Sequence, residues 1–169
     1  MFLRKKFFSL IALIAFAFSG ALLAAESGKV VIKGSTTVLP ITMKAIEAYK
    51  IIKPAVSVSV EGSGSGNGIK SLLEGTCDIA NSSREMKKEE LEKAKSSGLK
   101  IKEIVVAYDM IVPIVHPSNK VKNLTKDQLK GIYDGSITNW KQVGGDDMNI
   151  VVVSRDSSSG TYEYWHEDV

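Results

Sequence analysis

Three short stretches of this chain gather hydroxyls and glycines in a way that suits an anion: Gly34-Ser35-Thr36-Thr37, Gly62-Ser63-Gly64-Ser65-Gly66-Asn67-Gly68 and Ser157-Ser158-Ser159-Gly160-Thr161. Each follows a run rich in valine or isoleucine, so each lies where a strand empties into a turn. When a helix starts at such a turn, its first N–H groups have no intrahelical partner and carry the positive end of the helix dipole. Anions dock there, hydroxyls add donors without bulk, and glycine lets the backbone come close. One such turn is an ordinary cap or loop. Three after three strands point to a ligand at the carboxyl edge of an α/β sheet.

Other chemistries find little support. The glycines at 62, 64, 66 and 68 fit neither the dinucleotide fingerprint nor the P-loop, and no serine among them has the flanking glycines of a nucleophile elbow. Only two histidines are present, His116 before Pro117 and His166 near the end of the sequence, and neither lies near a candidate serine. A secreted serine hydrolase is therefore the weaker reading, and no catalytic residue is assigned. The single Cys77 can form no disulfide within the chain and no cysteine-based zinc site, and it reads as a small buried hydrophobe. Asp146-Asp147 follows Gly144-Gly145 and reads as a turn, Trp140 as a packing anchor. No metal and no cofactor is expected.

The elements that must position the turns alternate in type. Residues 29–33 (KVVIK) read as a strand, 40–52 as a helix with Ile41, Ala45, Ala48 and Ile52 on one face, and 56–60 (VSVSV) as a strand in strict alternation. A short helix over 69–73 stops at Gly75, a brief strand covers 77–80, and a charged helix over 87–96 ends at Gly98. The apolar stretch EIVVAYDMIVPIV follows, and Pro113 and Pro117 make it a crossover rather than a central strand. Beyond it come a helix over 125–133, where Thr125 and Gln128 have capping-box spacing, a turn at Asp134-Gly135, the segment SITNW and a strand over 150–153. Strand and helix in alternation imply a mostly parallel α/β sheet.

Composition sets the compartment. The 169 residues have room for about one domain core. Residues 1–25 hold Arg4, Lys5 and Lys6 ahead of an apolar run that ends in small residues, the pattern of a secretory signal peptide cleaved at one of positions 21 to 25. An uncleaved anchor is the alternative, and either one places the body in the periplasm or another extracytoplasmic space. Setting those three residues aside from the 22 basic ones leaves 19 against 19 acidic residues. A neutral body with no basic cluster excludes nucleic acid as a partner.

Five motifs, in order, resemble the periplasmic phosphate-binding proteins of phosphate ABC importers: GSTTVLP from Gly34, EGSGSGNGIKSL from Glu61, CDIANSSREM from Cys77, GSITNW from Gly135 and IVVVSRDSSSGT from Ile150. The resemblance implies a type II periplasmic binding protein fold, with a first α/β lobe over 26–108, a second over 109–169, and an oxyanion held in the cleft between them. It implies contacts from Thr37, with Ser35 and Thr36 as alternatives, from the Val38 amide, and from Ser65, Ser83, Arg155, Ser159, Gly160 and Thr161. Arg155 would be the full positive charge, its planar fork matching two phosphate oxygens. Ser83 stands where some members carry an aspartate that accepts the ligand's proton, which leaves selectivity among oxyanions open. Arg84 reads as surface, with added charge at the site as the alternative. The implied protein is not an enzyme but a monomeric receptor that captures inorganic phosphate and presents it to an ABC permease. Another oxyanion, or a sensory or adhesive role for the fold, is the runner-up. Such proteins continue well past the SSSGT motif. The expectation is therefore a truncated chain that holds only the N-terminal half of the fold and binds phosphate poorly alone.

Overall fold

The structure, a computed structural model, describes residues 27–169; the expected signal peptide over 1–25 lies outside the described residues. A three-stranded parallel sheet is built from β1 (Gly28–Gly34), β2 (Val56–Gly62) and β3 (Ile79–Asn81), in the order β2-β1-β3. Helices α1 (Leu39–Ile52) and α2 (Ser65–Leu73) make the crossovers, and α3 (Lys88–Ser96) follows β3. Gly34 is in register with both Gly62 and Asn81. All three strands therefore end at one level, and the turns that leave them share one edge.

The sequence pattern explains most of this sheet and its helices. Val56, Val58 and Val60 are half-buried while Ser57 and Ser59 face solvent, as the alternation of VSVSV requires. Ile32, Ile69, Cys77 and Ala94 are buried, and Ile69 brings α2 onto the sheet. Burial raises the Cys77 thiol above its usual pKa. Gly98, at φ 70°, ends α3 in the left-handed conformation that glycine adopts without strain.

Two expectations need correction here. Helix α1 does not present Ile41, Ala45, Ala48 and Ile52 to the sheet, because all four are exposed. Its inner line is Leu39, Thr42 and Ile46, and the Thr42 hydroxyl accepts a hydrogen bond from Asn81 Nδ2 at 2.9 Å. The helix is apolar on both faces, so periodicity could not choose between them. Helix α2 starts at Ser65, not Ile69, and takes in most of the glycine-rich stretch. The glycines are there for contact: a β-carbon on Gly68 would lie 2.5 Å from Gly34 Cα.

Residues 97–125 contain no helix or strand, and 102–118 are exposed. Helix α4 (Lys126–Tyr133) follows. Its capping box forms as read, with Gln128 N–H donating to Thr125 Oγ1 at 3.1 Å and Thr125 N–H to Gln128 Oε1 at 2.9 Å. Then come a 3-10 turn (Trp140–Val143) and α5 (Gly160–Asp168). The strand expected over 150–153 does not form a ladder. Ile150 N–H reaches Thr138 O at 2.8 Å and Asn139 bridges Asn149, but Val151 and Val153 are exposed and find no partner strand among the described residues.

Candidate functional site

Helices α1 and α2 start on the edge where the strands end, and α5 starts beside them. At the first turn the buried Ser35 hydroxyl accepts from the amides of Thr37 (3.2 Å) and Val38 (3.3 Å). Ser35 thus shapes the turn, and its own O–H proton stays available to donate. Ser35 N–H is itself held by Asn81 O at 2.8 Å, which ties this turn to the end of β3.

Ser65, the first residue of α2, is fully buried. Its Oγ lies 3.2 Å from Ser83 Oγ and accepts from Ser83 N–H at 3.1 Å. Gly160 closes on the same pair: a β-carbon at 160 would lie 2.5 Å from Ser65 Oγ and 2.6 Å from Ser83 Oγ. The amino ends of α2 and α5 consequently abut, which brings the positive ends of their dipoles together. Ser159 caps α5, its buried hydroxyl accepting from Tyr162 N–H at 3.4 Å. Ser158 O receives Gly66 N–H at 3.1 Å, a further link between the two amino ends.

Arg155 reaches from the third turn to the first, where its Nη2 donates to Thr36 Oγ1 at 2.8 Å. The neighbouring Asp156 is occupied by the Ser158 hydroxyl and N–H, which hold its carboxyl below the usual range. Arg155 and Thr36, and Ser65, Ser83 and Gly160, are thus brought together from turns far apart in sequence. The arrangement offers hydroxyls, helix-terminal amides and one guanidinium. Among the described residues no group of histidine, cysteine, aspartate and glutamate side chains could hold a metal ion. His116 Nδ1 meets Ser118 Oγ at 2.7 Å in an exposed turn, and His166 stacks on Tyr162. Neither histidine hydrogen-bonds Ser65, Ser83 or Ser159.

Sequence reasoning misplaced Arg84. It is not a surface residue: its side chain is only 6% exposed. Nη1 and Nη2 each donate to Glu90 at 2.9 Å, and Nε donates to Glu163 on α5. These partners, Glu90 foremost, raise the guanidinium pKa above its already high value, so the charge is permanent but compensated. Ser63 was overlooked as well. Its hydroxyl is buried beside the site with no partner among the described residues.

A model of the PBP superfamily domain matches residues 19–169, which take in all the described residues. The chain belongs to this superfamily. Its relatives in the superfamily include the phosphate-binding protein PstS of Borreliella burgdorferi, 44% identical over 131 residues, which cover 78% of this chain and 45% of that protein. The protein SphX of Synechococcus elongatus is 35% identical over 152 residues, 86% of this chain and 45% of the relative. Among solved structures, a protein of Clostridium perfringens assigned as a phosphate ABC transporter substrate-binding protein, with bound phosphate, superposes with a TM-score of 0.73 at 45% identity. That match covers 82% of this chain and 55% of the other. An ABC-type phosphate transport receptor from Vibrio cholerae gives 0.67 at 39% identity, over 82% and 54%. The periplasmic binding protein fold expected from the motifs is thus the fold observed. The chain spans about half the length of the relatives it matches.

Proposed function

We propose that this chain carries the phosphate-contacting half of an extracytoplasmic receptor that captures inorganic phosphate without chemistry and delivers it to an ABC permease. One observation carries the reading: the amino ends of α1, α2 and α5 meet at the carboxyl edge of a parallel sheet, with Arg155 spanning the first and third turns. Thr37 and Thr161 supply hydroxyls, Ser35, Ser65 and Ser159 supply hydroxyls oriented by the backbone amides they accept from, with Ser83 paired to Ser65, Gly160 supplies an N–H, and the Val38 N–H is shared between Ser35 Oγ and the anion. Arg155 contributes the charge, and Thr36 holds its fork in place.

In the same reading the sheet with α1, α2 and α3 belongs to a first lobe over 26–108, and α4, the 3-10 turn and α5 to a second over 109–169. Residues near 108–112 form the hinge between them. Among the described residues no helix is long and apolar enough to cross a membrane. In this reading the permease is a separate partner, and residues 1–25 act as the export signal.

Calorimetric titration of the full-length protein with phosphate, sulfate and arsenate tests the assignment. Saturable binding of phosphate and arsenate, with sulfate weaker, is expected. Equal heats for sulfate and phosphate would overturn phosphate as the ligand. Covalent labelling of Ser65 or Ser159 by a serine-reactive phosphonate would replace the receptor with a hydrolase.

A further inference from the structure

Helix α5 brings Ser159, Gly160 and Thr161 to the anion site, yet Gly160 is its only fully buried residue. Apolar packing against the first lobe therefore cannot fix its position. Its attachments lie on two sides. Trp165 packs against Tyr133 of α4, ring centroids 5.3 Å apart, which anchors α5 in the second lobe. Glu163 and Glu167, spaced i, i+4 on one face, turn toward the first lobe. There Glu163 meets Arg84 Nε, and Lys87 Nζ lies 3.3 Å from Glu163 and 3.0 Å from Glu167.

Arg84 is set for this contact before α5 arrives. Glu90 takes both terminal nitrogens, Glu85 O accepts from Nη1 at 2.8 Å, and Glu90 also accepts from Lys87 N–H at 2.8 Å. All these partners lie in the first lobe. What remains is the Nε edge, and Glu163 takes it. The cluster joins two cations to three carboxylates, so it would repel an anion rather than bind one. Its effect on the site is indirect. A carboxylate in the first turn of α5 suits the helix dipole but opposes a neighbouring anion, and Arg84 cancels that charge where it arises.

We propose that Arg84 and Glu163 form an ion-pair latch between the lobes, positioning the amino end of α5 on the closed cleft and holding the bound anion there. This inference rests on the two-lobed anion receptor proposed above. Arg84 and Glu163 are positioning residues, outside the anion's own contacts. Lys87, more exposed, adds a weaker second tie.

The test uses the full-length protein, with Trp165 on α5 as a fluorescence reporter of phosphate binding and release in stopped flow. Glu163→Gln is the chosen variant because Arg84 keeps Glu90 and no buried cation is stranded. The latch predicts an off-rate raised about tenfold with the on-rate little changed, since losing a desolvated charge contact acts on dissociation. The melting temperature of the ligand-free protein should stay that of wild type. Arg84→Lys, which cannot serve both carboxylates, should raise the off-rate similarly, and the double variant should be no worse than the worse single one. Wild-type binding with an unchanged off-rate in Glu163→Gln would overturn the latch. So would an off-rate change in Glu163→Gln matched by a fall in its ligand-free melting, which marks a merely structural role. Absence of phosphate binding in the wild type would instead overturn the receptor reading.

Discussion

Gly160→Ala is the most informative single substitution, because its effect follows from distances. The added methyl would stand 2.5 Å from Ser65 Oγ, 2.6 Å from Ser83 Oγ and 3.0 Å from Ser65 Cβ. Ser65 cannot give way: it is fully buried at the start of α2. Relieving a 2.5 Å approach to the ~3.5 Å of an unstrained contact moves the amino end of α5 by about 1 Å. Overpacking of this kind costs about 1–3 kcal/mol of stability. A displacement of about 1 Å in a preorganised polar site can cost about a hundredfold, a scale taken from enzyme sites. We expect phosphate affinity to fall by about that factor in calorimetry while the variant still folds by circular dichroism. Gly28→Ala is the control, since a β-carbon there meets nothing within 4 Å. Wild-type affinity in Gly160→Ala would refute the claim that α5 meets α2 around the anion.

Arg155→Ala should weaken phosphate binding by about 30-fold or more, as for loss of a hydrogen-bonded charge partner; equilibrium dialysis with radiolabelled phosphate measures it. Glu90 governs acid stability. Burial pushes its carboxyl up, but hydrogen bonds from Arg84 and Lys87 N–H prevail and hold it below its usual value. Its contribution is then complete above the ordinary glutamate pKa of about 4.3 and is lost as pH falls through the lower folded value. Thermal melts from pH 7 to 3 should show wild type and Glu90→Gln differing at neutral pH and converging in acid. The buried Cys77 thiol, with its raised pKa, should resist alkylation at pH 8 until denaturant is added, as mass spectrometry would report.

Where local chemistry decides the structure, the sequence was readable. The alternation in VSVSV, the Thr125–Gln128 capping box and the end of α3 at Gly98 all follow from neighbouring residues, and all form. The meeting of the first two turns was foreseeable from strand–helix alternation, because parallel strands put their exits on one edge; the third joins them through Arg155 and Gly160 although no ladder precedes it. The inner face of α1 was not, since Thr42 faces inward to meet Asn81 from another strand. Nor was the start of α2. Glycine between serines reads as loop, and only the approach of Gly34 makes glycine the residue that fits in the helix at Gly68. The valines over 151–153 carry a strand's composition, but a strand needs a partner to pair with. Arg84 was hardest, because its burial depends on Glu163, far along the chain, and no spacing rule links the two.

The most direct measurement is the position of the anion itself. Arsenate, nearly isosteric with phosphate, gives an anomalous scattering signal, so crystals of the full-length protein grown with it would locate the ligand. The account predicts one strong peak within hydrogen-bond reach of Thr37, Ser65, Ser159, the amides of Gly160 and Thr161, and Arg155. A peak away from the amino ends of α1, α2 and α5, or one held by Arg84 with Arg155 turned aside, would contradict it.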